Sequence, residues 1–405
     1  MAPTELNNRT LKARYVFPVR GEPIADGVVT IADGHIVRVG KADGQSSLVD
    51  LGNVAILPGF VNVHTHLDLG ELDQPLGTPG NGMADWIRGV IDFRRRAGGS
   101  PLAAVERGLR ECTAHGVTTL GDIVQPGCAW PPTATGTPDV TRFLELIAPT
   151  AERVPPVLEL ARAHLEHAAA SHGGRVGLSP HAPYTVHPDL LAAAISLSAA
   201  RRIPLAFHLA ESPDEMQLFE SAGGPLRELL DELNGWDPRL VRPGTRSLDY
   251  LRKLCGAHRA LVIHGNYLDE EEIALLGRHA ARMAVVYCPR THARFGHRRY
   301  PLEAFLAAGA TVAVGTDSRA SSPDLSVLAE IRSVARQYPQ IGRDVVLELG
   351  TLRGAKALGL DADRGSLEPG KRADMAAIRL PSGDAADPYA LWLDTDEPAW
   401  SVGEV

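Results

Sequence analysis

At 405 residues the chain is longer than a typical small domain, so a large unit with one accessory domain is expected. Its 44% hydrophobic and 22% charged residues are those of a globular protein with a large core, and a net charge of −8 without any basic run excludes a binder of nucleic-acid backbones. No stretch approaches the roughly 18 apolar residues of a membrane span, and Met1-Ala2-Pro3-Thr4-Glu5 carries no basic-then-apolar leader. Neither a nucleic acid nor a membrane is expected as a partner. The four cysteines, Cys112, Cys128, Cys255 and Cys288, are widely spaced, as expected of reduced thiols in a cytoplasmic protein.

Residues 1–57 read as all-β. Arg14-Tyr15-Val16-Phe17 and Gly27-Val28-Val29-Thr30-Ile31 are short β-rich runs, and Asp33-Gly34 supplies a turn into Ile36-Val37-Arg38-Val39. From 58 to 362, apolar runs alternate with helical periodicity. Strands are predicted at 59–62, 117–121, 143–147, 176–179, 205–208, 260–263, 284–287 and 312–315, and helices intervene, for example at 189–200, 225–233, 270–278 and 301–308. Several of these strands are near-continuous apolar runs, as in a parallel sheet covered on both faces. Eight strands with interposed helices predict an α/β fold, a (β/α)8 TIM-type barrel. Within it, the glycine-rich stretch 77–82 reads as a mobile lid loop, and 214–249 is long enough to form a second cap. Residues 363–405 begin with a turn-rich segment and a strand, Asp374-Met375-Ala376-Ala377-Ile378. That strand is expected to join the first 57 residues in a small β-sandwich built from both ends of the chain. After Leu380 the periodicity is weak, and the tail reads as loosely ordered.

In such barrels the site lies at the C-terminal ends of the strands. Six of the predicted strands end in reactive or polar residues: His64-Thr65-His66, Asp122, His181, His208, His264 and Asp317. A strand sends residues i and i+2 to one face, so His64 and His66 point at the same spot. If the strands are neighbours, His64, His66, His208 and Asp317 converge as a mixed nitrogen and oxygen set suited to one divalent metal, Zn²⁺ before Fe²⁺. Cys288, at the end of an apolar run, reads as a small buried residue rather than a nucleophile.

The arrangement resembles the amidohydrolase superfamily, in its adenosine/cytosine-deaminase-like branch. The resemblance rests on Leu57-Pro58-Gly59-Phe60-Val61-Asn62-Val63-His64-Thr65-His66, Ser179-Pro180-His181-Ala182-Pro183-Tyr184-Thr185, Phe207-His208-Leu209-Ala210-Glu211, Ile263-His264-Gly265-Asn266-Tyr267 and Gly315-Thr316-Asp317-Ser318. It implies that His64, His66, His208 and Asp317 hold one metal, that Glu211 shuttles protons, that His264 orients the attacking water, and that His181 contacts the substrate. Asp317, as ligand, would also accept a proton from that water. Binuclear members of the superfamily bridge two metals with a carboxylated lysine, or sometimes a glutamate, on the fourth strand. Here no lysine lies between Lys41 and Lys253, which implies a mononuclear site. The resemblance further implies a homodimer or larger homo-oligomer.

The segments 67–72, 83–91 and Cys288-Pro289-Arg290-Thr291-His292 look most like the aminofutalosine and S-adenosylhomocysteine deaminase group. On that likeness Glu71, Trp86 and Arg290 join His181 as substrate-binding candidates. Leu69, Trp86 and Phe295 would form an apolar wall, and Arg88 and Arg290 would supply cations near the mouth, Arg290 gripping a substrate carboxylate. The expected activity is hydrolytic release of ammonia from an amino-substituted purine nucleoside or related heterocycle. Two alternatives stay open: a same-site hydrolase expelling chloride or cleaving an amide or cyclic amide, and a non-catalytic metal-binding relative.

Overall fold

The computed structural model describes residues 9–42, 48–97, 102–131, 136–170 and 174–402. Two sheets organise them. The first takes strands from both ends of the chain: β1 (Arg9–Val16), β2 (Ile24–Ala32), β3 (His35–Lys41), β4 (Leu48–Asp50) and β5 (Val54–Pro58), then the two last strands after a long interval. The second, parallel, contains β6 (Phe60–His66), β7 (Val117–Val124), β8 (Asp139–Leu146), β9 (Arg175–Pro180), β10 (Pro204–Leu209), β11 (Arg259–His264), β12 (Met283–Tyr287), β13 (Thr311–Val314) and the two-residue β14 (Asp317–Ser318). The closing strands of the first sheet are β15 (Met375–Arg379) and β16 (Ala399–Ser401).

In the first sheet the strand order is β16-β15-β5-β1-β2-β3, with β4 beside β1. β2 and β3 form a hairpin across Asp33 and Gly34, whose φ values of 50° and 75° are the left-handed pair that an Asp-Gly two-residue turn requires. β5 and β15 pair antiparallel, Ile56 opposite Ala377, so the two chain ends meet as the sequence predicts. Leu11, Ala13, Val16, Ile36, Ile56 and Met375 pack a separate small core there. The tail corrects its expectation. Helix Ala390–Leu393 and β16 follow Leu380, β16 pairs with β15, and Trp392 is fully buried against Phe17. Elements of three and four residues are too short to carry a period.

In the second sheet the eight predicted strands are all present, although β8 starts at Asp139, four residues before the predicted start. The order runs β13-β12-β11-β10-β9-β8-β7-β6-β14. β14 follows β13 by two residues and pairs with β6, so the sheet curls back upon its first strand. Its inner face is filled by Val61, Val63, Phe143, Ala206, Ile263 and Ala313 among others. The outer residues, such as Leu120, Phe207, Val262 and Val312, are covered by helices including Leu102–Ala114, Pro188–Arg201 and Glu270–Arg278. Where the last strand crosses the first, a Cβ on Gly315 would lie 2.8 Å from the His64 carbonyl oxygen, so only glycine permits that approach. Beside it Asn62 donates to Thr316 Oγ1 (2.7 Å) and accepts from Thr316 N–H (3.1 Å), pinning the eighth strand end against the first. Among the described residues no helix is long and apolar enough to cross a membrane.

Candidate metal centre and active site

Strict alternation along β6 would place His64 and His66 opposite Val61 and Val63. The structure resolves this with a bulge. Asn62 pairs with Leu120 and Thr65 with Asp122, so three steps on β6 face two on β7. The extra residue changes the parity, and both the valines below and the histidines above face the sheet interior. His208 follows the inward-facing Ala206 by two residues and needs no such device. His264 does: Val262 faces out and Ile263 in, so a regular strand would send residue 264 outward. A left-handed backbone at His264 (φ 68°) turns it inward, its ring 5.8 Å from that of His64. Such a conformation costs a non-glycine residue roughly 1–2 kcal/mol.

Ring nitrogens of His64, His66 and His208 lie within 4.8 Å of one another, all buried. Asp317 Oδ1 approaches His64 Nε2 to 3.6 Å and His66 Nε2 to 3.8 Å. Neither nitrogen of His64, nor Nδ1 of His66, has a hydrogen-bond partner among the described residues. Buried polar atoms are seldom left so. His208 Nδ1–H donates to the His181 carbonyl (3.0 Å), leaving Nε2 as a lone-pair donor towards the cluster. The Asp317 carboxylate is held from behind: Ser321 Oγ–H donates to Oδ2 (2.7 Å), and Thr291 in turn reaches Ser321 (2.9 Å). Burial opposes ionisation of Asp317, but the close approach of His64 and the nearby imidazoles of His264 and His66 outweigh it and keep the carboxyl well below the usual range. Burial brings His66 down to about 3 and pushes His208 well below the ordinary value. His66 and His208 are thus neutral imidazoles beside one carboxylate, the protonation state a divalent ion requires.

Glu211 stands beside this set, its Oε1 3.1 Å from His264 Nε2. Burial, with Asp317 and Glu215 nearby, raises its carboxyl well above the usual range, while burial lowers His264 to about 3. Both shifts disfavour the charged forms and work against an ion pair at this contact. The turn carrying Glu211 is fixed by Glu215, which accepts Ala210 N–H (3.1 Å) and Glu211 N–H (2.7 Å). Asn266 Nδ2–H adds a bond to the Glu211 carbonyl (2.8 Å). His181 donates from Nδ1 to Thr185 Oγ1 (2.7 Å), because that hydroxyl donates onward to Ala182 O, and this leaves Nε2 as an acceptor. Asp122 faces no metal position; it accepts Leu67 N–H (2.8 Å) at the turn after β6. Burial pushes the Cys288 thiol far up, in keeping with an inert packed residue.

The remaining substrate candidates divide. Trp86 stacks edge-on against Phe295 (5.5 Å) and joins Leu69 in one apolar patch, while its indole N–H donates to Ala320 O (3.0 Å). Glu71 is exposed and lies beside Arg107. Arg88 is engaged by Asp85 and Glu232. Arg290 departs from its expected role. Its guanidinium is held by the fully buried Glu330 (2.5 Å) and by Asp324 (2.8 Å), leaving no fork for a substrate carboxylate. Removing one partner of a buried pair typically costs about 3–5 kcal/mol. Arg290→Met is therefore expected to lower the melting temperature sharply, and R290M/E330Q to recover much of the loss. A KM change confined to carboxylate-bearing substrates would instead restore the substrate-binding role. The loop at 77–82 is tied down by Arg294, which receives Gly80 N–H on its carbonyl (2.9 Å) and donates to Gly77 O (2.6 Å).

Sequence reasoning missed Glu215, although Ser212-Pro213-Asp214-Glu215 has the spacing of a helix capping box. Ser212 does cap the helix Pro213–Ser221, but the Glu215 carboxylate reaches back past it to the catalytic turn. It also missed Glu145, the one acidic residue in the apolar run Phe143-Leu144-Glu145-Leu146.

Residues 55–400 match the Amidohydrolase family. The aminodeoxyfutalosine deaminase of Deinococcus radiodurans is 32% identical over 357 residues, 84% of this chain and 81% of that protein. A 5-methylthioadenosine/S-adenosylhomocysteine deaminase of Moorella thermoacetica is 28% identical over 91% of this chain and 85% of its own. Among solved structures, Helicobacter pylori aminofutalosine deaminase in complex with methylthio-coformycin superposes with a TM-score of 0.81 at 21% identity, covering 96% of this chain and 97% of that one. A zinc-bound adenosine deaminase from Xanthomonas campestris gives 0.73 at 21% identity, covering 95% and 88%. With the matched region spanning the whole parallel sheet and every residue of the histidine cluster, the chain belongs to the amidohydrolase family.

Proposed function

We propose that the protein is a metal-dependent hydrolase that releases ammonia from a 6-aminopurine nucleoside or a close derivative such as aminodeoxyfutalosine. The observation that carries this reading is a buried carboxyl, Glu211, set 3.1 Å from His264 at the edge of the His64, His66 and His208 cluster. The deaminase relatives supply the substrate class. His64, His66, His208 and Asp317 would hold one divalent ion, zinc first. Bound there, such an ion supplies Lewis acidity and acidifies water near neutral pH.

The chain's own groups supply the rest. Asp317 is an ionised base beside the cluster, able to take a proton from the attacking water. Glu211 donates a proton to the ring nitrogen next to the carbon under attack; the proton taken up by Asp317 passes to the departing amine, and Glu211 regains one from the new hydroxyl as the carbonyl forms. His264, neutral, orients the water, and His181 Nε2 accepts a hydrogen bond from the substrate. The same reading takes the curled sheet as a closed (β/α)8 barrel over 58–362, carrying a small β-sandwich from 1–57 and 363–405, with 1–8 and 403–405 outside the described residues. The lack of a fourth-strand lysine supports a single metal. A homodimer in the cytoplasm completes the picture.

The test is product release by the purified, zinc-loaded protein against adenosine, methylthioadenosine, S-adenosylhomocysteine, aminodeoxyfutalosine and a chlorotriazine. Ammonia from any nucleoside supports the proposal. Chloride alone would move the protein to the chlorohydrolases, a zinc-bound example of which has a TM-score of 0.71 to this chain at 21% identity. Silence across the panel with metal bound would overturn the enzyme reading.

A further inference from the structure

A second polar group lies at the same mouth and has no part in the mechanism above. Glu145 follows the inward-facing Phe143 by two residues, so it points into the sheet interior one layer higher, at the level of the histidines. It is buried, and it interacts electrostatically with His181, Arg94 and His66. Gln125, at the end of the neighbouring strand, donates to its Oε2. Oε1 takes no hydrogen bond among the described residues. Asp68, two residues past His66, lies close enough to interact with Glu145. Both Arg94 contacts fall on one Asp68 oxygen, Oδ2, with Nη2 at 2.8 Å and Nε at 3.0 Å. The Asp68 side chain is only 5% exposed, and its Oδ1 is a buried acceptor without a partner.

Two neighbouring carboxylates thus each keep one oxygen occupied and one unused. Two carboxyl groups, Asp68 and Glu145, face this wall with one guanidinium, Arg94, between them. Such a wall repels phosphate or carboxylate, and it offers acceptors only. The matching ligand group is a pair of adjacent hydroxyls, each donating one charge-assisted hydrogen bond.

We propose that Glu145 and Asp68 form the subsite for a vicinal diol of the substrate, the ribose hydroxyls of a nucleoside, with Glu145 the main discriminating residue. This rests on the proposed nucleoside chemistry and extends it to the sugar. Gln125 holds the carbonyl side of any amide placed at 145, so Glu145→Gln would turn an NH₂ donor towards the hydroxyls.

The test compares adenosine with 2′,3′-dideoxyadenosine, using the zinc-loaded wild type and Glu145→Gln, with metal content checked by elemental analysis. Binding is measured alongside kcat/KM, by calorimetry on a Glu211→Gln background where turnover is removed. The wild type should favour the diol at least about 10-fold, and E145Q should bring the ratio near 1 while leaving the dideoxy substrate within about 3-fold. Equal loss on both substrates, or no preference in the wild type, would overturn the subsite while leaving the deaminase standing. A Glu145-dependent binding preference without turnover would retain the subsite and remove the deaminase. Neither binding nor turnover would remove both.

Discussion

Glu211→Gln is expected to retain its metal and lose about 10²–10⁴ of kcat, the range carried by a positioned acid or base. The amide is isosteric and keeps the contact with His264, but it cannot release a proton to a ring nitrogen. None of the four candidate metal ligands is touched, so elemental analysis should return wild-type stoichiometry. The pH profile supplies a second readout. Burial and the neighbouring carboxylates raise Glu211, so the group stays protonated to higher pH than a free carboxyl and ionises as pH rises through the raised value. Activity that needs the acid form should therefore fall on the alkaline side, and the residual rate of E211Q should lack that limb. Loss of metal from E211Q would recast Glu211 as a structural neighbour of the ligands, and an unchanged kcat would remove it from the chemistry.

How far the site could be read in advance depends on what each residue's identity reveals. Histidines at the ends of apolar runs are conspicuous because burial of a polar ring needs a reason, so His64, His66, His208 and His264 stood out. What turns them towards one point did not: the bulge in β6 and the left-handed backbone at His264 are set by neighbouring strands, and no local pattern announces them. Arg290 illustrates the opposite failure. Its partners, Asp324 and Glu330, lie 34 and 40 residues onward, and a cation near a mouth looks the same in sequence whether it meets substrate or a buried glutamate. Glu145 was hidden because alternation puts it on the face of Phe143 without saying that this face is the interior, which the neighbouring strands decide. The hairpin at Asp33-Gly34 was the easiest feature, because that dipeptide has few other backbone uses.

Asp317→Ala is expected to remove both tight metal binding and turnover, the larger of the two losses argued here. Asp317 is the only carboxylate within 4 Å of the His64 and His66 ring nitrogens among the described residues, and without it the cluster offers imidazoles alone. The consequence should also appear in stability. An ion that binds only the folded chain stabilises it by about 2.7 kcal/mol at one hundred times its Kd and about 4.1 at one thousand times. Chelation should therefore lower the wild-type melting temperature, and zinc should restore it, whereas D317A should melt at the same temperature with or without either. Burial brings His66 to about 3 and His208 well below its ordinary value, so proton competition at these two should not weaken wild-type binding between pH 6 and 8. If D317A kept one zinc per chain and the full thermal response, the three histidines would suffice as the binding set, and Asp317 would be left with the proton-accepting role alone.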